Sequence, residues 1–181
     1  MSAPAAERRH QAQLGEWAAL GVVFQEPAHG WAIARRLHSD GDVGRVWSLS
    51  RPLTYRALDA LTEQGLIEPV GSEPGTAGPN RTILAVTPAG GAAFRRWVDT
   101  PVEHVRDVRS ELLLKLVLAE QSGLDTAALL SAQRVIVERV AARRPEPADV
   151  VALWRHESTL TVLRFLDAVT GAATDGVRHQ P

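Results

Sequence analysis

The sequence contains no cysteine among its 181 residues. This absence excludes disulfide bonds, thiolate metal sites, redox pairs and cysteine nucleophiles. The chain also lacks any apolar run near the roughly 18 residues that a membrane span needs, and its N-terminus has no signal-peptide core. The most apolar stretch, at 112–118, is interrupted by Lys115 and flanked by Glu111 and Glu120. The sequence therefore predicts a soluble, cytoplasmic protein.

An excess of charge of either sign is also lacking, because 20 basic and 21 acidic residues give a net charge of −1. Nucleic-acid-binding domains usually carry a basic surplus, whereas residues 14–98 hold eight basic and eight acidic residues. Any DNA-binding surface must therefore arise from the arrangement of the charges and not from their sum. Nineteen of the basic residues are arginine, which suits phosphates and base edges, although a GC-rich genome would give the same bias.

The composition that remains, 45% hydrophobic and 23% charged, is typical of a folded globular protein. The first hundred residues show the order helix, helix, helix, β-hairpin, helix, which is the order of a winged helix-turn-helix. The predicted elements are helices at 14–24 and 28–39, a helix between Ser50 and Gly65, strands at 66–70 and 82–86, and a helix at 88–98. The connection at 71–80, rich in glycine and proline, predicts a long, mobile hairpin tip.

The helix after Ser50 has the clearest pattern in the chain. Ser50 is a good N-cap, and Pro52 falls in the first turn, where its missing N–H costs nothing. At 100° per residue, one arc is apolar and is predicted to face the core: Leu53, Ala57, Leu58, Ala60 and Leu61. The opposite arc carries charged and polar residues. Thr87 and Pro88 supply a similar cap for the helix that follows the hairpin.

The chain changes character after Pro101. Three long amphipathic helices are predicted at 102–121, 125–144 and 148–170, and their apolar stripes need a surface to bury against, for which a partner subunit would serve. The predicted organisation is therefore a disordered arm (1–13), a winged helix-turn-helix (14–100), a helical dimerisation and effector region (101–171) and a frayed tail (172–181). The fold class is mainly α with a small β-hairpin, and the C-terminal region is an antiparallel helical dimerisation region.

Several stretches along the chain, in order, resemble PadR-type transcriptional regulators, and in the second half those with an extended C-terminal region. The stretches are 27–31 (PAHGW), Trp47, 55–58 (YRAL), 61–67 (LTEQGLI), 87–90 (TPAG), Arg106-Asp107, 112–116 (LLLKL) and 155–157 (RHE). The resemblance implies a homodimer joined through C-terminal helices that represses genes and is released by a small ligand. It would make the chain a one-component regulator of a pseudo-palindromic operator.

The helix after Ser50 is the predicted recognition helix. Arg51 could bind guanine in bidentate fashion, and Tyr55 could bond a phosphate. Its carboxylates, Asp59 and Glu63, lie toward the C-terminal half, away from DNA that is entered N-terminus first. The full predicted DNA-binding set is Ser50, Arg51, Thr54, Tyr55, Arg56, Asn80, Arg81, His29 and Arg35. Solvated helix faces, an ordinary flexible hairpin loop, and pairing of Arg35 or Arg36 with Asp40 or Asp42 remain alternatives.

Five tryptophans accompany a single tyrosine. Trp17 and Trp31 lie on apolar helix faces and are predicted to be core residues. Trp97 and Trp154, with Arg155, His156 and Arg164 as polar anchors, could line a pocket for an apolar or aromatic effector; dimer packing with a polar rim is an equal alternative. The predicted dimer interface comprises Leu112, Leu116, Ile136, Leu160, Leu163 and Leu166.

No motif supports an enzyme. The 156–160 stretch (HESTL) begins like a zinc-protease helix, but Leu160 stands where the second metal-binding histidine must be. The six histidines are never paired at i, i+4, and nucleophile-elbow and phosphate-loop patterns are absent. The sequence predicts no catalytic residue, metal or cofactor. Alternatives to a PadR-like regulator are a winged-helix protein-interaction module in a dimeric scaffold, a MarR-type regulator, or a small hydrolase that uses His104 or His156.

Overall fold

A computed structural model describes residues 5–74, 80–143 and 146–177. The chain divides into two compact units. The first combines Met1–Val98 with Leu113–Leu124, and the second combines Asp99–Leu112 with Asp125–Pro181. The sequence places 113–124 with the C-terminal region; the structure places them in the first unit, because Leu114, Leu118 and Ala119 pack into its core.

The first unit is mostly helical with a small three-stranded antiparallel sheet, and it has the winged-helix arrangement. Its elements are α1 (Ala5–Gln25), β1 (Ala28–His29), α2 (Gly30–Leu37), α3 (Arg51–Glu63), β2 (Ile67–Glu73), β3 (Arg81–Val86), α4 (Pro88–Asp99) and α5 (Leu113–Gln121). The strand order is β1-β3-β2, with Glu73 opposite Arg81 at the end of the hairpin next to the connection between the two strands. We call β2, β3 and their connection the wing. Both strands start and end within a few residues of the predicted ones.

The boundaries around α3 and α4 follow from local chemistry. Gly65 has a φ of +67°, a left-handed conformation that ends α3 and that side chains rarely adopt. The Thr87 hydroxyl accepts the Gly90 N–H at 3.0 Å and donates to the Gly65 carbonyl at 2.8 Å. The predicted Thr87 cap is thereby confirmed, and it also ties the start of α4 to the end of α3.

Aromatic and aliphatic side chains from every helix of the first unit form one core. The Trp17 and Trp97 rings stack with centroids 5.1 Å apart and planes 4° from parallel, which is a favourable aromatic pair. Leu20, Ile33 and Phe94 are fully buried beside them. The predicted core position of Trp17 is therefore supported by its stack, whereas Trp31 is 42% exposed and its predicted burial is wrong.

The second unit contains two long helices, α6 (Ala127–Ala142) and α7 (Val150–Val177), which contact each other. The predicted helix at 102–121 is wrong as one element. The chain forms a 3-10 turn at Val105–Asp107 and a π-helical turn at Val108–Leu112 before α5 begins. One reason is that the Val102 backbone bonds the buried Gln133 side chain through both its N–H, at 2.8 Å, and its carbonyl, at 3.0 Å.

Both chain ends are more helical than the sequence indicates. The structure begins α1 at Ala5, within the predicted disordered arm, and continues α7 to Val177, within the predicted frayed tail. Residues 5–13 are rich in alanine, glutamate, arginine and glutamine, which favour helix, and at either end extending an existing helix needs no new nucleus. Residues 1–4 and 178–181, like the centre of the hairpin tip at 75–79, lie outside the described residues.

Candidate nucleic-acid interface

The exposed side of α3 carries its basic side chains at the N-terminal end. Arg51, Tyr55 and Arg56 are all exposed, and the Arg51 guanidinium lies 5.9 Å from the centre of the Tyr55 ring. Ser50 occupies the N-cap position, but its side chain makes no capping hydrogen bond. The positive end of the helix dipole and two exposed guanidinium groups therefore lie within the first two turns of α3, an arrangement that favours anions.

Thr54 does not belong to this surface, which corrects the sequence prediction. Its side chain is fully buried, and its hydroxyl donates to the Ser50 carbonyl at 3.2 Å. Leu53, predicted to be buried, is 45% exposed instead. The buried face of α3 consists of Thr54, Ala57, Leu58 and Leu61. The helix is therefore rotated about its axis from the orientation that would bury the predicted apolar arc.

His29 is engaged within the protein, which corrects its predicted role as a DNA contact. Its Nδ1 accepts the Ala32 N–H at 3.1 Å and caps α2. The ring hydrogen must then lie on Nε2, which is 3.0 Å from a Glu73 carboxylate oxygen. His29 therefore connects the start of α2 to the wing and has no ring nitrogen left for a phosphate.

Trp31 is a functional candidate that the sequence interpretation missed. The guanidinium carbons of Arg35 and Arg81 lie 5.1 Å and 5.7 Å from the centre of its indole ring, both within cation–π range. The spacing of Trp31 and Arg35, four residues apart on one helix, could have indicated the first contact. The second contact joins α2 to β3 and depends on the tertiary fold.

The arginines of the first unit differ in whether a carboxylate neutralises them. Arg36 forms a bidentate pair with Asp42, with a shortest contact of 2.7 Å, and this hydrogen bond lowers the pKa of the Asp42 carboxyl below its ordinary value. Among the described residues, no carboxylate lies within 4.0 Å of the following four guanidinium groups: Arg35, Arg51, Arg56 and Arg81. These four guanidinium groups thus have no carboxylate partner, although residues 14–98 hold equal numbers of basic and acidic residues.

Asn80 is exposed at the tip end of the wing, directly before β3. It stands one residue from Arg81, so the two predicted wing contacts do lie together. The tip that would extend beyond them falls at 75–79, outside the described residues.

The residues predicted to line an effector pocket are distributed over both units. Trp97 belongs to the first unit and is 8% exposed, because its ring is stacked on Trp17 and the Lys115 ammonium lies 5.0 Å from its centre. Trp97 is therefore a core residue of the first unit, which corrects its predicted place in the lining of an effector pocket. Trp154 belongs to the second unit and is 72% exposed; Arg155 is exposed and His156 is half-buried.

Two of the six predicted interface residues are already fully buried within one chain. Leu112 and Leu166 have no exposed surface to offer a partner, because each packs inside its own chain. The remaining four are half-buried: Leu116, Ile136, Leu160 and Leu163. The large exposed apolar side chains of the second unit are Val135, Val150, Val151, Leu153 and Trp154.

Within the described part of the chain, no group of three or more histidine, aspartate or glutamate side chains is placed to hold a metal ion. None of the helices described there combines the length and apolar character needed to cross a membrane.

No family model and no curated protein matches the chain. Among solved structures, it is similar to Bacillus subtilis PadR in complex with operator DNA, at 17% identity and a TM-score of 0.46, covering 85% of this chain and 96% of PadR. The Streptococcus mutans protein smu.1604c is 15% identical with a TM-score of 0.44, over 87% and 98% of the two chains. B. subtilis PadR with p-coumaric acid is 17% identical with a TM-score of 0.41, over 87% and 94%. Likeness at this level carries no argument about function.

Proposed function

We propose that the protein is a DNA-binding transcriptional regulator that reads duplex DNA with α3 and the wing. The observation that carries the proposal is the grouping of Arg35, Arg51, Arg56 and Arg81 on α2, α3 and β3 of one unit, with no carboxylate within 4.0 Å of any of them among the described residues. Arg45 and Arg95 also have no carboxylate within that distance there, so it is the position of the four, and not the missing carboxylate alone, that sets them apart. Arg35, Arg51 and Arg56 are exposed and Arg81 is half-buried, and guanidinium groups without an internal anion are suited to phosphate oxygens and base edges.

In the proposed complex, α3 enters the major groove with its N-terminal turn first. Arg51 is placed to reach a guanine edge, and the free Ser50 hydroxyl and Tyr55 are placed to bond phosphates. Asp59 and Glu63 stand one to three turns further along the helix, where repulsion from the phosphate backbone is smaller. Asn80 and Arg81, at the tip end of the wing, would contact the minor groove or its flanking phosphates.

We propose that two copies bind together through their second units. The support is the apolar surface that α7 exposes in its first turns, Val150, Val151, Leu153 and Trp154, because contiguous apolar patches mark interaction surfaces. A two-fold dimer would read a pseudo-palindrome with half-sites about one helical turn apart, roughly 34–36 Å.

We also propose repression relieved by a small apolar or aromatic effector. Its support is limited to the second unit, where the exposed Trp154 indole adjoins Arg155 and His156 in sequence, a combination of aromatic face and polar anchors that suits planar acids. A ligand of this kind would act by changing the spacing of the two recognition helices.

The experiment that tests DNA binding is a salt-titrated affinity measurement with the duplex upstream of the protein's own coding sequence, and a scrambled duplex as control. We expect tighter binding to the native fragment and a steep loss of affinity with salt. Arg51→Ala should reduce the preference for the native fragment, whereas Arg139→Ala, an exposed arginine of α6, should not. Weak, equal binding to both duplexes would favour a protein-interaction module, for which exposed Leu53 and Val70 would be contact candidates.

A further inference from the structure

Trp31 connects two arginines that come from different parts of the first unit. It lies in the first turn of α2 with 42% of its surface exposed. Arg35 follows one helical turn later, and Arg81 opens β3, yet both guanidinium groups lie over the same indole ring. Because both distances end at the same ring centre, the separation of the two guanidinium carbons is at most the sum of the two distances.

Two like charges this close repel each other, and no carboxylate among the described residues lies within 4.0 Å of either guanidinium. The next residue on α2, Arg36, has such a partner in Asp42. At Arg35 and Arg81, the electron-rich face of the indole takes the place of a carboxylate. Unlike a carboxylate, the ring takes up none of the N–H groups of either guanidinium. Arg81 Nη1 also lies 3.5 Å from Nε2 of His29, and the other N–H groups of the pair can meet another acceptor.

The two residues that precede Trp31 are held in place by contacts with other elements. Gly30, its neighbour, is in close contact with α3, since a Cβ there would lie 2.8 Å from the Tyr55 ring. His29, the residue before Gly30, caps α2 and pairs with Glu73 at the end of β2. The start of α2 is thus held to α3 and to the wing at once, so the position of Trp31 is set by the whole interface.

We propose that Trp31 is a positioning residue that holds Arg35 and Arg81 as one paired cation against neighbouring phosphates of a DNA strand. Phosphates recur about every 3.4 Å of axis along a strand, so the pair spans only a few of them. Arginine side chains lose conformational freedom when they bind, and a ring that fixes both beforehand reduces that loss. The inference rests on the DNA binding proposed above.

The test is the effect of Trp31→Leu on DNA affinity in two backgrounds, the unmodified protein and the Arg35→Ala/Arg81→Ala variant. We expect Trp31→Leu to weaken binding at least about fivefold in the unmodified protein and less than about twofold once both arginines are gone, since positioned groups couple to what positions them. Trp31→Tyr keeps an aromatic face and should stay within about threefold of the unmodified protein.

A second readout separates positioning from loss of charge. Trp31→Leu keeps both arginines, so the slope of log affinity against log salt should stay unchanged, whereas Arg35→Ala should reduce its magnitude by about 0.9. Circular dichroism and the thermal midpoint confirm that each variant is folded. Arg139→Ala serves as the matched arginine control.

Equal losses from Trp31→Leu in both backgrounds would overturn the inference, because Trp31 would then contact DNA or support the fold by itself. An affinity of Trp31→Leu for DNA equal to that of the unmodified protein would overturn it as well. Both results require that the unmodified protein binds duplex DNA. If the unmodified protein fails to bind at low salt, the proposed function is wrong, and the inference is wrong with it.

Discussion

At the scale of single residues, the interface is defined by which arginines have an acceptor inside the protein. Arg36 and Asp42 satisfy each other and also bond the Gln121 side chain, so this arginine fixes the loop before α3 to the end of α5. Arg35, one position earlier, faces an indole instead. Sequence alone leaves both arginines as candidates to pair with Asp40 or Asp42, because adjacent helical residues differ by 100° in direction and the loop path decides which one meets a carboxylate.

The Arg36–Asp42 pair predicts an acid-dependent part of stability. Because the folded protein lowers the pKa of Asp42, the stabilisation is present above the unfolded value near 3.8 and is lost as pH falls through the folded value. Asp42→Asn should lower stability by no more than about 1 kcal/mol near neutrality, since the pair is partly solvated.

Thermal midpoints of the unmodified protein and Asp42→Asn, measured from pH 7 to pH 2.5, check this prediction. The difference between the two should be full above about pH 5 and should disappear in acid. Asp59, an exposed carboxylate of α3, has no ion-pair partner within 4.0 Å among the described residues, so Asp59→Asn should show little difference at any pH. A difference that persists undiminished at pH 2.5 would contradict the role of the ionised pair.

At the scale of elements, the α3 pattern shows how far sequence reasoning extends. Its limits, its proline-containing first turn and its Gly65 stop agree with the local signals, because caps and φ preferences act within a few residues. Its rotation could not be derived from hydrophobicity, since a threonine can bury its hydroxyl by bonding the carbonyl four residues earlier. Thr54 does so, and it leaves Leu53 in solvent.

The rotation of α3 predicts unequal effects of two leucine truncations. Leu58 is 3% exposed and Leu53 is 45% exposed. Leu58→Ala should cost about 2–5 kcal/mol of unfolding free energy, because it opens a cavity in the core. Leu53→Ala should change stability by no more than about 0.5 kcal/mol. Urea denaturation of both variants measures this, and equal costs would show that the apolar arc, not the Thr54 arc, faces the core.

At the scale of the whole molecule, the order of the helices and the hairpin in the first hundred residues could be predicted, but the two-residue strand β1 and the membership of the two units could not. Helix and hairpin signals are local, and the winged-helix order followed from them. The placement of α5 in the first unit depends on distant packing: Leu118 lies so near Gly21 that a Cβ there would be 2.5 Å from its methyl carbon. The contact of Trp31 with Arg81 is similarly non-local. The net charge of residues 14–98 does not indicate the DNA surface, because the eight basic and eight acidic residues cancel in number although only some of the arginines have a carboxylate partner.

The proposed function assigns the DNA surface of the first unit to four arginines on α2, α3 and β3: Arg35, Arg51, Arg56 and Arg81. The most direct test is the salt dependence of affinity for the native upstream duplex, compared between the unmodified protein and the Arg35→Ala/Arg51→Ala/Arg81→Ala variant, with Arg139→Ala as control. Each lost phosphate contact should reduce the magnitude of the slope of log affinity against log salt by about 0.9. We therefore expect a reduction of about 2–3 in the triple variant and none in the control. If the slope and the affinity of the triple variant equal those of the unmodified protein, these arginines do not form the DNA surface.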